Sequence, residues 1–200
     1  MIASIRKLLL SLFLLALANI ASAKIVIIDA GHGGHDRGGS YGKVYEKHLA
    51  LDTALRLEHY LKKKGYKTLM VRNRDQFVSL SRRADIANKY RDAIFVSIHY
   101  NFTWRKAARG LETFYFSRQG GILASACHQS IRKFVSSSNR GVKHARYHVL
   151  RNCKHPAILV EGGFLSNSSD RAKCKKGVFR DGIARGIVAG IVRYDKSGNW

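Results

Sequence analysis

Apolar and polar positions along the chain fall into blocks: short unbroken apolar runs, separated by longer stretches with a helical period. Residues 25–30 are apolar except for Asp29, which suits a strand buried on both faces. Over residues 46–64, Ala50, Ala54, Leu57 and Leu61 recur at helical spacing and Gly65 stops the pattern, predicting a helix. Residues 66–71 read as a second strand. Leu80, Ala84 and Ala87 mark a second helix, residues 93–98 a third apolar strand, and residues 111–116 a fourth. A helix over 121–135, a short buried strand over 157–160 and a closing helix lined by Val178, Phe179, Ile183, Ile187 and Ile191 complete the pattern. Strands alternating with helices predict an α/β fold, a single domain with a twisted, mostly parallel central sheet flanked by helices.

The first residues do not fit that pattern. Arg6 and Lys7 precede an apolar run over 8–18, and Ala21-Ser22-Ala23 follows as a small-x-small cleavage signature, so residues 1–23 read as a secretory signal peptide cleaved after Ala23. The apolar run falls well short of the roughly 20 residues of a spanning helix, so no stable membrane span is expected. No Cys sits at the cleavage point, and a lipid anchor is not indicated. Residues 24–200 are then one exported domain, expected as a monomer in the periplasm or on the wall side of the envelope.

Composition adds a partner class. The 200 residues hold 36 Lys plus Arg against 13 Asp plus Glu, a formal net charge of +23. Only Arg6 and Lys7 lie in the signal, so the exported part keeps +21. An anionic partner is implied, and export favours a cell-envelope polymer over nucleic acid. Cys127, Cys153 and Cys174 are an odd number in an oxidising compartment, so at most one intramolecular disulfide is expected, with its pairing open.

Candidate chemistry sits at strand ends, where open α/β sheets gather function. The first strand runs into Asp29-Ala-Gly-His32-Gly-Gly34, the third through Ser97-Ile-His99, and the strand before Gly162 ends in Val160-Glu161. A polar group at the end of an apolar strand costs stability unless something there uses it. Two imidazoles and a carboxylate suit zinc, which in catalytic sites keeps three protein ligands and one open position. The chain has four Glu from which to draw the oxygen ligand. Glu58 reads as a solvated helix residue, and Glu112 as a residue inside a strand, away from a carboxyl end. Glu46, at a first helical turn, and Glu161 both remain open. Glu46 has a plain structural alternative as an acid favoured by the helix dipole.

The motifs Asp29-Ala-Gly-His-Gly-Gly34, Glu46-Lys47, Val71-Arg72 with Asp75, Ala87-Asn88, Phe95-Val-Ser-Ile-His99 with Asn101, Gly110-Leu-Glu-Thr-Phe-Tyr115, and Leu159-Val-Glu161 with Gly163-Phe-Leu-Ser-Asn167 occur in order. In this the chain resembles the zinc-dependent N-acetylmuramoyl-L-alanine amidases (type 3 cell-wall amidases). The resemblance implies that His32, Glu46 and His99 ligate Zn2+ and that Glu161 is the catalytic carboxylate. It implies a peptidoglycan substrate, cut at the amide between N-acetylmuramic acid and L-alanine of the stem peptide during wall remodelling or daughter-cell separation. Ala30 stands where the family commonly has Pro, and Tyr100 where it commonly has Ala. Arg72 and Asn101 match family positions around the site and are candidates for substrate binding or for supporting the ligands. Tyr100 is a third candidate, expected to narrow the groove beside His99 or add stacking surface to it. Related cell-division amidases carry an inhibitory helix after the strand matching 111–116, released by an activator protein. Residues 117–121 leave little room for one, so an uninhibited catalytic domain is expected and any activator stays unidentified.

Competing readings remain. His35, His48 and His59 read as solvated, and His128, His144, His148 and His155 as contacts to solvent or substrate. Asn167 reads as a turn residue behind Glu161. Ser130-Ile-Arg-Lys133, Ser137-Ser-Asn139 and Lys196-Ser-Gly198 echo the motifs of penicillin-binding enzymes, which makes Ser130 and Lys133 a possible second, serine-type carboxypeptidase site. Short patterns of this kind recur by chance, and Ser4-Ile-Arg-Lys7 matches too. A basic exported module that merely adheres to peptidoglycan needs none of the ligands. A nucleotide-binding loop over 31–39 lacks both the G-x-G-x-x-G spacing and the P-loop Lys.

Overall fold

The protein is described by a computed structural model over residues 24–200. The segment read as a signal peptide lies outside those residues. Strand β1 (Ile25–Ala30) is followed by a small hairpin of β2 (Ser40–Tyr41) and β3 (Val44–Tyr45), helix α1 (Glu46–Lys63), β4 (Lys67–Met70) and α2 (Leu80–Asn88). Then come β5 (Ala93–Asn101), β6 (Leu111–Tyr115), α3 (Arg118–Phe134), β7 (Asn139–His144), α4 (His148–Arg151), β8 (Ala157–Phe164), α5 (Ser168–Cys174) and α6 (Gly177–Lys196).

Six strands form one sheet in the order β4-β1-β5-β8-β6-β7. β6 runs antiparallel to β8, and every other neighbouring pair is parallel. Residues of alternating parity bury two faces, as strand geometry requires. Val26, Ile28, Ile94, Val96, Ile158 and Val160 pack with α1, α3 and α6 in the larger core. Ile27, Phe95, Phe114 and Leu159 pack on the other face with Ala87 of α2 and Val149 and Leu150 of α4. That second cover is thin, and the functional side chains emerge on the same face.

Helix starts follow local chemistry. Ser79, Ser117 and Asn167 each accept a backbone N–H three residues on, capping α2, α3 and α5. The Ser117 cap starts α3 at Arg118, three residues before the apolar periodicity suggests. Asn167 is thus a helix cap, and its amide also donates to the Lys106 carbonyl.

β7 escapes the apolar pattern because it is a charged edge strand, Asn-Arg-Gly-Val-Lys-His, with one side-chain row on solvent. β8 runs through Gly162 and Gly163 to Phe164, past the apolar run. All three cysteines are free thiols. Among the described residues, no helix is long and apolar enough to cross a membrane.

Candidate metal centre and active site

β1 ends in a glycine-rich loop that turns His32 back over the sheet edge. His32 itself sits at φ 59°, in the left-handed region. Two glycines make room for the imidazoles. A Cβ on Gly31 would enter the His99 ring, and one on Gly38 (φ +65°) would lie 2.5 Å from His32 Cδ2 and 2.6 Å from Glu46 Oε2.

Two buried arginines clamp this loop. Arg83 of α2 forms an ion pair with Asp29 (2.5 Å) and donates to the carbonyls of Ala30 and His32, and Ser97 donates to the other Asp29 oxygen. Arg72 donates to the carbonyls of Ala30, Gly31, Lys47 and Arg74. On the outer side, Lys47 bridges the Gly34 carbonyl and Asp75, and Asp75 accepts the Gly34 N–H.

His32, Glu46 and His99 converge, with their candidate ligand atoms all within 4.8 Å of one another. Glu46 Oε1 lies 3.1 Å from His32 Nε2 and 2.8 Å from His99 Nδ1. The second His32 nitrogen, Nδ1, lies 2.8 Å from Asp36, the carboxylate–histidine pairing that orients metal-ligating imidazoles. Glu46 Oε2 accepts the Gly39 N–H, and Oε1 accepts the Tyr100 N–H. Burial alone would raise the Glu46 pKa, yet the two imidazoles outweigh it and hold the carboxyl well below its ordinary range. Burial likewise opposes charge on His32, but Glu46 and Asp36 shift its pKa upward.

Glu161 completes the arrangement. In the sheet register it lies opposite His99 on one side and opposite Glu112 on the other, so three functional side chains stand in a row on one face. It is 8% exposed, and its Oε2 has no hydrogen-bond partner. Burial, with Glu46 and Glu112 adding repulsion, raises its pKa well above the ordinary carboxylate value. His32, His99 and Glu161 open into a cleft of about 580 Å³ walled by Phe77, Leu80 and Tyr147. A buried carboxyl with an unpartnered oxygen thus faces the cleft beside three convergent atoms that could hold a metal.

One substrate-contact expectation needs correction, and a second narrows to its structural alternative. Tyr100 is fully buried: alternation along β5 turns its ring away from His99 and into the larger core, where its hydroxyl meets Thr53 Oγ1 at 2.7 Å. It serves the site through its backbone N–H alone. Arg72 is 1% exposed with its donors on backbone carbonyls, so it supports the ligand loop and does not reach substrate. Asn101 is half-buried, donates to Glu112 (2.8 Å) and lines a second cleft on the far side of that residue.

The serine-type site does not form. Ser130 is buried in α3, Lys133 points to solvent, and no hydrogen bond joins them. His128 is also buried, between Thr113 and Asn139, as a strut linking β6 to β7 and not a contact to solvent or substrate.

Glu112 was misplaced by the assumption of parallel strands. Because β6 is antiparallel, its amino end lies at the same sheet edge as the carboxyl ends of β5 and β8. Helical spacing sets Arg83 one turn before Ala87 on the buried side of α2, while Arg82 faces solvent.

A sequence profile described as N-acetylmuramoyl-L-alanine amidase matches residues 26–193. Among curated relatives, the N-acetylmuramoyl-L-alanine amidase CwlM of Bacillus licheniformis is 38% identical over 173 residues, covering 84% of this chain and 67% of that protein. The probable cell wall amidase LytH of Staphylococcus epidermidis is 34% identical over 183 residues, covering 90% of this chain and 61% of its own length. The chain thus spans about two thirds of the curated relatives it matches. The crystal structure of an N-acetylmuramoyl-L-alanine amidase from Clostridium difficile 630 superposes with a TM-score of 0.84 at 36% identity, covering 88% of this chain and 98% of that one.

Proposed function

Because this chain belongs to the N-acetylmuramoyl-L-alanine amidase family, we propose that it hydrolyses the amide between N-acetylmuramic acid and L-alanine of the peptidoglycan stem peptide. The observation that carries this reading is the convergence of His32, Glu46 and His99 beside the unpartnered Glu161 carboxyl. Two imidazole nitrogens and a carboxylate oxygen suit zinc with a position left open, and zinc held by these residues supplies Lewis-acid polarisation of the scissile carbonyl and a water of lowered pKa.

Glu161 does the proton work. Its carboxylate takes a proton from the attacking water and passes it to the leaving nitrogen of L-alanine, general-base then general-acid catalysis. The carboxyl keeps the proton taken from water and hands it to the nitrogen as the C–N bond breaks. Asp36 fixes the His32 ring, while Arg72 and Arg83 hold the backbone that carries it, so the ligands are set before substrate arrives. The β6–α3 connection is only Phe116 and Ser117, with no added helix over the cleft, which supports activity without an activator.

The basic, apolar, small-residue sequence of 1–23 supports export, with cleavage near Ala23 and the mature domain in the periplasm or on the wall side of the envelope.

Metal content and turnover separate this reading from simple adhesion. Glu161→Gln is expected to retain one equivalent of zinc and lose turnover by about 10³-fold or more, the upper half of the typical general acid–base contribution because this group serves both steps. His99→Ala is expected to lose metal and turnover together. Full turnover in either variant, or full activity of the wild type in chelator, contradicts the mechanism.

A further inference from the structure

The row His99–Glu161–Glu112 divides two clefts of opposite character. The first, described above, holds Asp29, Asp36 and Glu161 among apolar walls, and its cation, Arg83, is already paired with Asp29. The second, about 670 Å³, lies beyond Asn101 and Glu112 and is lined by Trp104 and Arg105 of the β5–β6 loop and by Arg140 and Lys143 of β7. Its single acid, Glu112, is 3% exposed and fixed by Asn101 (2.8 Å), Arg140 (2.7 Å) and Lys143 (2.5 Å).

Arg140 and Lys143 keep 35% and 40% of their side chains exposed, so both retain donors that face the cleft. The Arg105 guanidinium lies 4.8 Å from the centre of the Trp104 ring, and Trp104 is 81% exposed. Phe102 packs against Gly39, whose N–H holds Glu46, so this cleft begins one residue from a ligand position.

An amide joining an uncharged sugar to a carboxylate-bearing peptide has two arms that must leave the metal position in different directions. Beyond the metal position, a carboxylate entering the first cleft meets Asp36 and Glu161 and no free Lys or Arg, since Arg83 is taken up by Asp29. Entering the second, it meets three cations and one acid that is already neutralised. We propose that the second cleft is the subsite for the stem peptide, with Arg105, Arg140 and Lys143 gripping its free carboxylates, so that the protein discriminates against stems whose carboxylates are amidated. This rests on the amidase reading.

The test uses N-acetylmuramoyl-L-alanyl-D-glutamate, with both carboxyl groups free, and its dicarboxamide. In turnover, the wild type is expected to favour the acid, chiefly through KM. Lys143→Gln and Arg105→Gln are expected to raise KM for the acid by about 10-fold each, the equivalent of one charge-assisted hydrogen bond. Arg105→Gln leaves KM for the dicarboxamide and kcat for both within about twofold, whereas Lys143→Gln, which also removes a partner of Glu112, is read from the ratio of its KM values for acid and dicarboxamide. Arg105→Gln does not disturb the partners of Glu112, so its result stands even if Lys143→Gln fails to fold.

Direct binding of both compounds to Glu161→Gln reads the subsite without turnover. Preference for the acid there, lost in the double variant with Arg105→Gln, supports the subsite even if neither compound is cleaved, in which case it is the amidase reading that fails. Equal binding of acid and dicarboxamide, or an equal loss for both in the variants, overturns the subsite.

Discussion

Glu161 is a carboxyl group kept where the rest of the fold would not choose to keep one. It is buried, flanked by Glu46 and Glu112, and has an oxygen with no partner. Its pKa is raised above that of the unfolded chain, about 4.3 for Glu. The folded protein therefore binds the extra proton, and metal-free stability falls as pH climbs from that value toward the folded pKa. Glu161→Gln removes this loss. In metal-stripped protein the variant is expected to match wild type in thermal stability near pH 3 and to exceed it increasingly toward pH 7; a constant difference across that range contradicts the assignment. Much at this scale was legible in sequence. Asp29, His99 and Glu161 stand out because each interrupts or ends an apolar strand, and His32 because it follows one among glycines. Arg72 was legible as a possible support of the ligands, but Arg83 was not, because its partners are Asp29 and the carbonyls of Ala30 and His32, more than fifty residues away.

Between elements, the direction of β6 matters most. A strand antiparallel to its neighbour brings the amino end of Leu111–Tyr115 to the active edge, and with it Glu112 and the cations of β7. Apolar patterning locates strands but carries no sign for direction, so Glu112 could not be placed from periodicity. The α3–α6 contact was partly legible: the apolar period identifies both helices, whereas their close approach depends on Gly182, Gly186 and Gly190, each one turn apart. A Cβ on Gly186 would run into the backbone of Ile131, and one on Gly190 into that of Cys127. Gly186→Ala is expected to destabilise the fold by about 1–3 kcal/mol despite the better helix propensity of Ala. Chemical denaturation checks this, and a variant as stable as wild type would mean that the helices can separate without cost.

Over the whole chain the net charge is +23, and among the described residues its cations include Arg72 and Arg83, buried behind the ligand loop, and Arg105, Arg140 and Lys143 on the surface beside the site. Alternating strands and helices were enough to read the single α/β domain; the charged edge strand and the short α4 and α5 were not, because they bury too little to leave an apolar period. Electrostatic attraction to an anionic wall is screened over a Debye length of about 10 Å at 0.1 M salt. KM on insoluble peptidoglycan is therefore expected to rise steeply between 0.05 and 0.5 M salt, on the order of 10-fold, with kcat little changed. A flat response would assign the charge no part in substrate capture. The most direct test of the central claim is mass analysis of stem peptides released from purified peptidoglycan by residues 24–200 alone, with and without chelator. The account predicts peptides with a free L-alanine amino terminus, released without any added activator and only when metal is present. Release at another bond, or release undiminished by chelator, would contradict it.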